Sequence, residues 1–297
     1  MNEIKLVTVA GKISINRGTA LAIVSGVLYS GLGYLGITQI QLGFTIYDML
    51  FWRFVVSALL LLPFVLKASL WTPSVLKILP YLFIVGGASY SLSSVFYFLA
   101  AKEIGTGVSM VIFFTFPVFV ALFAWIFDRH RLGRLTYISM VLLFSGLWLL
   151  ADECGSGFHW MAGLLAMGSG VSYAVYVYMG KKLKIDPMLS SFIVCFGSAF
   201  GTWAFGSFVD GGLLIPSLDA SWFHVLLTAL LATVLPIVLF LQAMKHITAT
   251  KASLLSVFEP LSTVLIGILF LNETLLDIQM VGVVVILVGA LLTHYDR

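Results

Sequence analysis

Ten continuous apolar runs, each about as long as a lipid bilayer is thick, dominate this sequence. A helix that crosses the hydrocarbon core needs roughly 20 apolar residues, because the core is about 30 Å thick and each residue rises about 1.5 Å. The runs do not alternate in polarity and are too long for barrel strands, and in lipid each backbone group must be paired within its own segment. We therefore predict an all-α integral membrane protein with ten transmembrane helices. We number these segments 1 to 10: 18–38, 45–66, 77–100, 105–127, 134–151, 159–180, 188–209, 221–244, 250–271 and 277–294.

Composition excludes a water-soluble globule. Only 10% of the 297 residues are charged and 61% are hydrophobic, whereas a soluble domain carries about 25% charged residues. The two cysteines, Cys154 and Cys195, are far apart and have no metal-ligand spacing, and no long basic tract suggests nucleic acid binding. The apolar run from Thr19 lacks the small-residue pattern of a cleaved signal peptide. We expect no cofactor, no metal and no nucleic acid partner.

The distribution of Lys and Arg predicts the orientation. If the N-terminus is cytoplasmic, fourteen of the sixteen basic residues lie inside, Arg53 lies within a helix, and the outside loops hold only Lys102. This asymmetry is the positive-inside pattern. We therefore expect a multi-pass protein of the inner membrane with both termini in the cytoplasm. The inside residues are Lys5, Lys12, Arg17, Lys67, Lys77, Arg129, Arg131, Arg134, Lys181, Lys182, Lys184, Lys245, Lys251 and Arg297. The acids of the outside loops are Glu103, Asp152, Glu153, Asp210, Asp219, Glu273 and Asp277.

The two halves of the sequence resemble each other at a nearly constant shift. A shift of 144 places segment 6 on segment 1, and a shift of 143 places segments 8–10 on segments 3–5. The matches include Ala22/Ala166, Ser25/Ser169, Gly26/Gly170, Val27/Val171, Tyr29/Tyr173, Tyr34/Tyr178, Gly36/Gly180, Ala100/Ala243, Lys102/Lys245, Ile104/Ile247, Pro117/Pro260, Leu132/Leu275 and Gly146/Gly289. We predict two five-helix repeats, 17–151 and 158–295. An odd number of helices per repeat inverts the second copy in the membrane, an arrangement that supports alternating access.

A motif in the second half points to a known family. It comprises Ala243, the run 247–255 (Ile-Thr-Ala-Thr-Lys-Ala-Ser-Leu-Leu), Phe258-Glu259-Pro260, Leu271-Asn272-Glu273, Gly282 and Gly289. This pattern resembles the second EamA-type repeat of the drug/metabolite transporter superfamily. The resemblance implies a ten-helix transporter with a central cavity that moves small metabolites, amino acids or drug-like compounds, often outward. The first repeat departs from the pattern, with Phe116-Pro117 in place of Glu259-Pro260, Asp128-Arg129-His130 in place of Leu271-Asn272-Glu273, and Tyr29-Ser30 where members often have Trp-Gly.

Two ionisable residues lie near the predicted midplane, where charge is costly and is usually paired or functional. Arg53 lies roughly 12 Å from the outer end of segment 2, and Glu259 lies roughly 14 Å from the inner end of segment 9. Glu259 is a candidate for binding a cationic substrate group or a proton, or it braces the backbone that Pro260 opens. Arg53 is a candidate for binding an anion or carboxylate, or it extends to the outer face beside Asp48. A direct Arg53–Glu259 pair is a further alternative.

Other mid-depth residues are candidates for lining a cavity. Pro117 and Pro260 occupy matched positions in segments 4 and 9, and matched interruptions in two halves indicate a transport site or simple kinks. The aromatic and hydroxyl candidates are Tyr29, Tyr90, Ser94, Tyr173 and Trp203, each of which is equally suited to ordinary packing between helices. The phenylalanines of segment 4 are expected to face lipid: Phe113, Phe114, Phe116 and Phe119.

These features favour a secondary carrier that exports a small metabolite. Uptake or exchange by the same fold is the alternative, and a membrane enzyme or a channel is less well supported. The five histidines lie near helix ends and form no metal or nucleophile motif, no nucleotide-binding motif is present, and the short loops leave no surface for a protein partner. A carrier of this kind runs on the substrate gradient or on a coupled ion, for which protons are the candidate.

Overall fold

Helices account for all the regular structure in the described residues. The computed structural model describes residues 2–66, 68–104, 106–129, 133–150, 160–183, 185–209, 220–262, 265 and 277–295. The α-helices are α1 (Asn2–Tyr29), α2 (Gly31–Gln41), α3 (Ile46–Val65), α4 (Pro73–Tyr81), α5 (Gly87–Ile104), α6 (Thr106–Phe113), α7 (Phe116–Asp128), α8 (Arg134–Leu150), α9 (Trp160–Lys182), α10 (Pro187–Val209), α11 (Ala220–Ala229), α12 (Leu235–Ala243), α13 (Ala249–Leu255) and α14 (Asp277–Tyr295). A 3₁₀ turn (Ala68–Leu70) and two π turns (Leu82–Gly86 and Leu230–Val234) complete the set.

Six helical stretches in this part of the chain are long and apolar enough to cross a membrane, and the chain is an all-α membrane protein. They are Asn16–Gln41, Ile46–Val65, Pro73–Ile104, Trp160–Lys182, Pro187–Val209 and Trp222–Ala243, and they coincide with segments 1, 2, 3, 6, 7 and 8. Shorter apolar helices lie in segments 4, 5 and 10 (Phe116–Asp128, Arg134–Leu149 and Met280–Gly289). Residues 266–271 of segment 9 and the acids Asp152, Glu153, Asp210, Asp219 and Glu273 lie outside the described residues.

Segment 3 begins at Pro73, four residues before the predicted start. The Thr72 hydroxyl accepts a hydrogen bond from the Val75 N–H, and Pro73 occupies the first turn, where its missing N–H costs nothing. Hydropathy alone does not reveal this start, because the residues before Lys77 include polar ones. The start is marked instead by the capping hydrogen bond of Thr72.

Segments 4 and 9 are both interrupted immediately before their matched prolines. In segment 4, α6 ends at Phe113 and α7 begins at Phe116, one residue before Pro117. In segment 9, α13 ends at Leu255 and helical residues resume at 258, two residues before Pro260. A proline cannot donate to the carbonyl four residues earlier and its ring crowds that carbonyl. The interruption therefore has the same local cause in both halves.

The two π turns lie in segments 3 and 8, which also correspond under the repeat. Pro236 follows the second π turn and lacks the N–H that would bond the carbonyl of residue 232. In the π turn the backbone hydrogen bonds join residues five apart instead of four. The Thr233 hydroxyl also donates to the Thr228 carbonyl, at 3.1 Å. Such local π turns occur preferentially near functional sites.

The pattern of helix pairing is unchanged when the two halves are exchanged. The most extensive packing joins segment 5 to 10, segment 2 to 7, segment 3 to 6 and segment 1 to 8. Exchanging the halves adds five to the number of each segment in the first half and subtracts five from each in the second. The pair 1–8 therefore becomes the pair 6–3, and the pairs 2–7 and 5–10 remain the same. Every one of these four pairs joins the first half of the chain to the second.

Individual hydrogen bonds obey the same exchange. The Ser25 hydroxyl in segment 1 donates to the Pro236 carbonyl in segment 8 at 2.8 Å. The Ser169 hydroxyl in segment 6 donates to the Ser93 carbonyl in segment 3 at 2.7 Å. Shifts of 144 and 143 convert the first bond into the second. Interhelical hydrogen bonds of this kind contribute about 0.6 kcal/mol in a membrane, so they set the register of the two halves more than their stability.

Two matched glycines lie against the interruptions of the opposite half. A Cβ added to Gly26 would lie 3.2 Å from the Glu259 nitrogen and 3.3 Å from the Ser256 oxygen. A Cβ added to Gly170 would lie 2.9 Å from the Phe113 oxygen. Only a residue without a side chain lets the opened backbone come this close, as small residues do between membrane helices.

The C-terminal ends of segments 4, 6 and 8 are joined by basic side chains. The Lys181 ammonium donates to the carbonyls of Met244 and, at 2.9 Å, Ile247. Lys182 forms an ion pair with Asp128 at 2.6 Å, with both side chains well exposed. An exposed pair contributes about 0–1 kcal/mol, whereas Lys181 satisfies one carbonyl at the end of α12 and one in the link to α13.

Segments 3 and 7 touch backbone to backbone at two glycines, and this contact provides a stability test. A Cβ added to Gly87 would lie 2.7 Å from the Gly197 backbone, so Gly87→Val must push the helices apart, at a cost of about 1–3 kcal/mol. We expect the purified variant to lose its folded, monodisperse form in detergent at a lower temperature, as measured by size-exclusion chromatography after heating.

The matched control is Gly33→Val, since a Cβ at Gly33 would meet nothing within 4 Å. This variant makes the same chemical change within a helix and should keep the wild-type melting behaviour. Equal melting temperatures for the two variants would contradict the close packing of segments 3 and 7.

Candidate functional site

A cavity lies between helices of both halves of the chain, and the space within it and in front of its opening amounts to about 550 Å³. Its walls come from segments 1, 2, 3, 4, 6 and 9, and they combine aromatic rings with a few polar groups. The lining residues are Tyr29, Leu32, Gly33, Arg53, Tyr90, Ser93, Ser94, Tyr97, Phe98, Met110, Phe113, Tyr173 and Glu259. A mostly apolar cavity with a small number of converging polar groups is the usual form of a small-molecule site.

Arg53 is the most deeply buried charge among the described side chains. Only 1% of its surface is exposed, so it does not extend to the outer face. Its Nη2 donates to the Ser94 hydroxyl at 3.2 Å, and its guanidinium carbon lies 4.5 Å from the centre of the Phe54 ring. Within the described part of the chain, its Nε and Nη1 atoms have no hydrogen-bond partner.

The start of segment 2 fixes the height of Arg53. Thr45 caps α3 and accepts a hydrogen bond from the Asp48 N–H, and the Asp48 carboxylate accepts one from Thr45 in return. This capping box stabilises the first turn. Asp48 thus caps the helix, whereas Arg53, about one and a half turns further on, enters the cavity.

Glu259 reaches the cavity from the opposite half, on the first turn after the interruption of segment 9. Its backbone N–H donates to the Ser256 carbonyl at 2.9 Å, and this turn lies against Gly26. Its side chain is partly exposed to the cavity. The cavity therefore contains one basic residue from the first half and one acidic residue from the second.

Tyrosines from three segments form one connected cluster. The hydroxyls of Tyr29 and Tyr90 are hydrogen-bonded at 3.2 Å. The ring of Tyr90 lies 5.0 Å from that of Tyr176 and 6.1 Å from that of Tyr173. Rings at these separations attract each other and hold one another in place. The matched residues Tyr29 and Tyr173 therefore both lie against Tyr90.

Six of the seven residues proposed from the sequence for substrate binding line this one cavity: Tyr29, Arg53, Tyr90, Ser94, Tyr173 and Glu259. Trp203 is placed elsewhere. It lies on segment 7 with 45% of its surface exposed, and its ring is 5.6 Å from that of Phe200. Pro117 and Pro260 are buried at the two interruptions and are not among the lining residues.

The expectation that the phenylalanines of segment 4 face lipid was wrong for three of the four. Phe113 lines the cavity, and Phe114 and Phe116 are only 2% and 1% exposed. The Phe116 ring packs edge-on against Tyr173 at 4.8 Å. Every face of this segment is apolar, and lipid and protein interior favour the same side chains there, so composition could not indicate which face is buried.

Sequence reasoning also missed Tyr97 and Met110. Tyr97 lies seven residues after Tyr90, and Ser94 lies between them, so these three share one face of segment 3. That spacing is a signal that could have identified Tyr97. Met110 belongs to the apolar start of segment 4 and carries no comparable signal.

The sequence profile of the EamA-like transporter family matches residues 17–151 and 160–295. The chain belongs to the EamA-like transporter family. It is therefore a multi-pass membrane transporter and not an enzyme. Among the described residues, no cluster of His, Cys, Asp or Glu side chains could hold a metal ion.

Curated relatives of this EamA-like transporter are transporters as well. The "Uncharacterized transporter YwfM" of Bacillus subtilis is 29% identical over 208 residues, which cover 66% of this chain and 67% of YwfM. The "Threonine/homoserine exporter RhtA" of Salmonella typhimurium is 28% identical over 228 residues, which cover 72% of this chain and 70% of RhtA. The Escherichia coli protein of the same name is 26% identical over 225 residues, with the same coverage.

A solved crystal structure has the same fold. It superposes with a TM-score of 0.75 over 93% of this chain and 95% of that chain, at 15% sequence identity. At this identity the likeness concerns the arrangement of the helices alone.

Because Tyr173 lines the cavity and Trp203 does not, we expect their substitution to affect transport to different extents. Tyr173→Ala removes a ring from the cavity wall and should lower transport by this EamA-like transporter about 2- to 10-fold, the equivalent of about 0.5–1.5 kcal/mol. Trp203→Ala removes a larger ring from outside the cavity and should change transport by less than about twofold. Uptake or efflux in cells, normalised to protein in the membrane, measures both. A greater loss for Trp203→Ala would contradict the assignment of the cavity.

Proposed function

We propose that this chain is a secondary carrier that exports a small amino acid by alternating access. In this proposal ten helices cross the inner membrane as two inverted repeats, residues 17–151 and 158–295, with both termini in the cytoplasm. The observation that carries the proposal is the cavity between the two halves, to which the first half contributes a buried arginine and three tyrosines and the second half an acid and one tyrosine. The sites of carriers built from inverted repeats lie at the interface of the two repeats.

The internal contacts support the inverted repeat. The hydrogen bonds of Ser25 and Ser169 correspond under exchange of the halves, and so do the close approaches of Gly26 and Gly170. Such correspondence is expected when two copies of one unit are related by a two-fold axis. A five-helix unit that is repeated with opposite insertion places this axis in the membrane plane.

The shape of the cavity supports an outward-facing state within the proposed topology. The lining residues of segments 1 and 3, such as Leu32 and Tyr97, lie toward the outer ends of those helices. On the inner side, a Cβ at Gly18 would lie 2.7 Å from His246, and Lys181 joins segment 6 to segment 8. A cavity that extends toward the outside, with contacts that join segments 1, 6 and 8 on the inner side, is what one of the two states of alternating access requires. A second cavity, between the inner ends of segments 6, 7 and 8, shares no lining residue with the first.

The names of the relatives support the substrate and the direction. RhtA is a threonine/homoserine exporter by its name, and a residue pair of opposite charge suits a compound that carries both an ammonium and a carboxylate. Uptake or exchange of the same substrate, and export of drug-like compounds, are the alternatives. A channel is disfavoured because it would usually show a pore-lining polar ring or a filter loop and symmetric oligomerisation.

Flux through purified protein tests the function directly. Proteoliposomes loaded with a panel of labelled compounds (threonine, homoserine, phenylalanine and a cationic dye) should release threonine or homoserine faster than empty liposomes do. Because a carrier binds its cargo, this release should saturate with concentration. Selective release of the dye would support the drug-export alternative, and flux that never saturates would support a channel.

Glu259 provides the test of proton coupling. It is the acidic residue among those that line the cavity, so Glu259→Gln should abolish the acceleration of transport by a pH gradient while leaving exchange between equal pools intact. Glu103→Gln is the matched control, because Glu103 is an exposed carboxyl at the outer end of segment 3. Unchanged pH-gradient stimulation in Glu259→Gln would remove Glu259 from the coupling mechanism.

The proposed topology makes a separate prediction. Reporter fusions within the stretch Lys181–Lys184 should be active only in the cytoplasm, and fusions at the turn Asp152–Glu153 only outside, because a single helix separates them. Alkaline phosphatase and green fluorescent protein report the two compartments. If both sites were found on the same side, the ten-helix inverted arrangement would be wrong.

A further inference from the structure

We propose that Arg53 is the residue that binds the carboxylate of a zwitterionic amino acid substrate. The inference rests on the proposed function, because it specifies how that cavity recognises its cargo. It starts from the state of the Arg53 side chain, which lines the cavity, is 1% exposed and leaves two of its nitrogens without hydrogen-bond partners among the described residues.

A buried guanidinium in this state is costly unless a further group accepts hydrogen bonds from its remaining N–H groups. A charged donor that is removed from water without a partner carries its full desolvation cost. At the depth of the bilayer centre, cations persist where they pair with an acid, a carbonyl or a ligand. The Ser94 hydroxyl, at 3.2 Å, is a neutral partner for one N–H group only.

The planar geometry of arginine leaves a complete binding edge. Each of the two long edges of the guanidinium contains Nη2 together with either Nε or Nη1, and Nη2 contributes one N–H to each edge. Whichever N–H Ser94 accepts, the other edge keeps two parallel donors. A carboxylate accepts two such bonds side by side, which is the strongest arrangement that arginine makes with an anion.

The rest of the cavity suits the remainder of an amino acid. Glu259 lines the same cavity from the second half and supplies an acid for the ammonium group. The rings of Tyr29, Phe113 and Tyr173, together with Leu32, offer an apolar surface for a side chain. A compound that carries both charges would be neutral overall and would complete Arg53 without adding net charge to the membrane interior.

Competition in counterflow tests the role of the carboxylate without any mutation. Unlabelled L-threonine, threonine methyl ester and N-acetyl-threonine compete with labelled threonine in proteoliposomes. Loss of a bidentate charged contact weakens binding by about tenfold or more, so the ester, which lacks the carboxylate, should compete at least about tenfold more weakly than threonine. An ester that competes as well as the free acid would overturn the inference.

Variants assign the effect to Arg53. Arg53→Gln should remove the preference for acid over ester. Arg53→Lys keeps the charge but lacks the paired N–H donors of the guanidinium, and should reduce this preference. Lys102→Gln removes an exposed cation at the outer end of segment 3 and should keep the full preference. The readout is the ratio between the competition by the free acid and the competition by the ester. A variant that merely folds poorly lowers the transport activity but leaves this ratio unchanged.

The outcomes separate this inference from the proposed function. Absence of flux for every amino acid in the panel would contradict the carrier proposal, and the role of Arg53 would fall with it. Threonine flux with equal competition by acid and ester, or with a preference that survives in both Arg53 variants, would contradict the role of Arg53 alone.

Discussion

Backbone polar groups in a hydrocarbon core have no water to bond, and the architecture of this protein depends on that constraint. Straight helices satisfy it by themselves, but segments 4 and 9 are opened near Pro117 and Pro260. The opened backbone has to be covered by protein. Gly26 and Gly170 provide the cover, since each lets a neighbouring helix come within van der Waals contact of the interruption in the other half. Interruption and cover thus form a unit that appears twice.

This reciprocity explains why the cavity lies where it does. Each half contributes a broken helix and a glycine-bearing helix, and each needs the glycine of the other, so the two halves pack against each other at the two interruptions. The matched hydrogen bonds of Ser25 and Ser169 fix that register. Glu259 and Tyr173 stand beside the two contacts, and the cavity they help to line is consequently shared by both halves.

The sequence predicted the helical segments well and the cavity partly, for one physical reason. Length and apolarity determine which segments cross a membrane, and both can be read from the residues. The rotation of each helix about its own axis determines what a side chain faces, and in lipid both faces are apolar, so Phe116 and Trp203 could not be assigned correctly. Arg53 and Glu259 were identifiable because charge at that depth needs an explanation wherever it points.

The same argument distinguishes a binding site from a structural ion pair. If Arg53 and Glu259 existed only to neutralise each other, burial would favour a direct contact that satisfies the guanidinium, because a charge in the interior is stable when its donors are bonded. Instead, Nε and Nη1 of Arg53 lack hydrogen-bond partners within the described part of the chain, while the residue lines the cavity. A charge in this state is what the proposed role of Arg53 in binding a carboxylate requires.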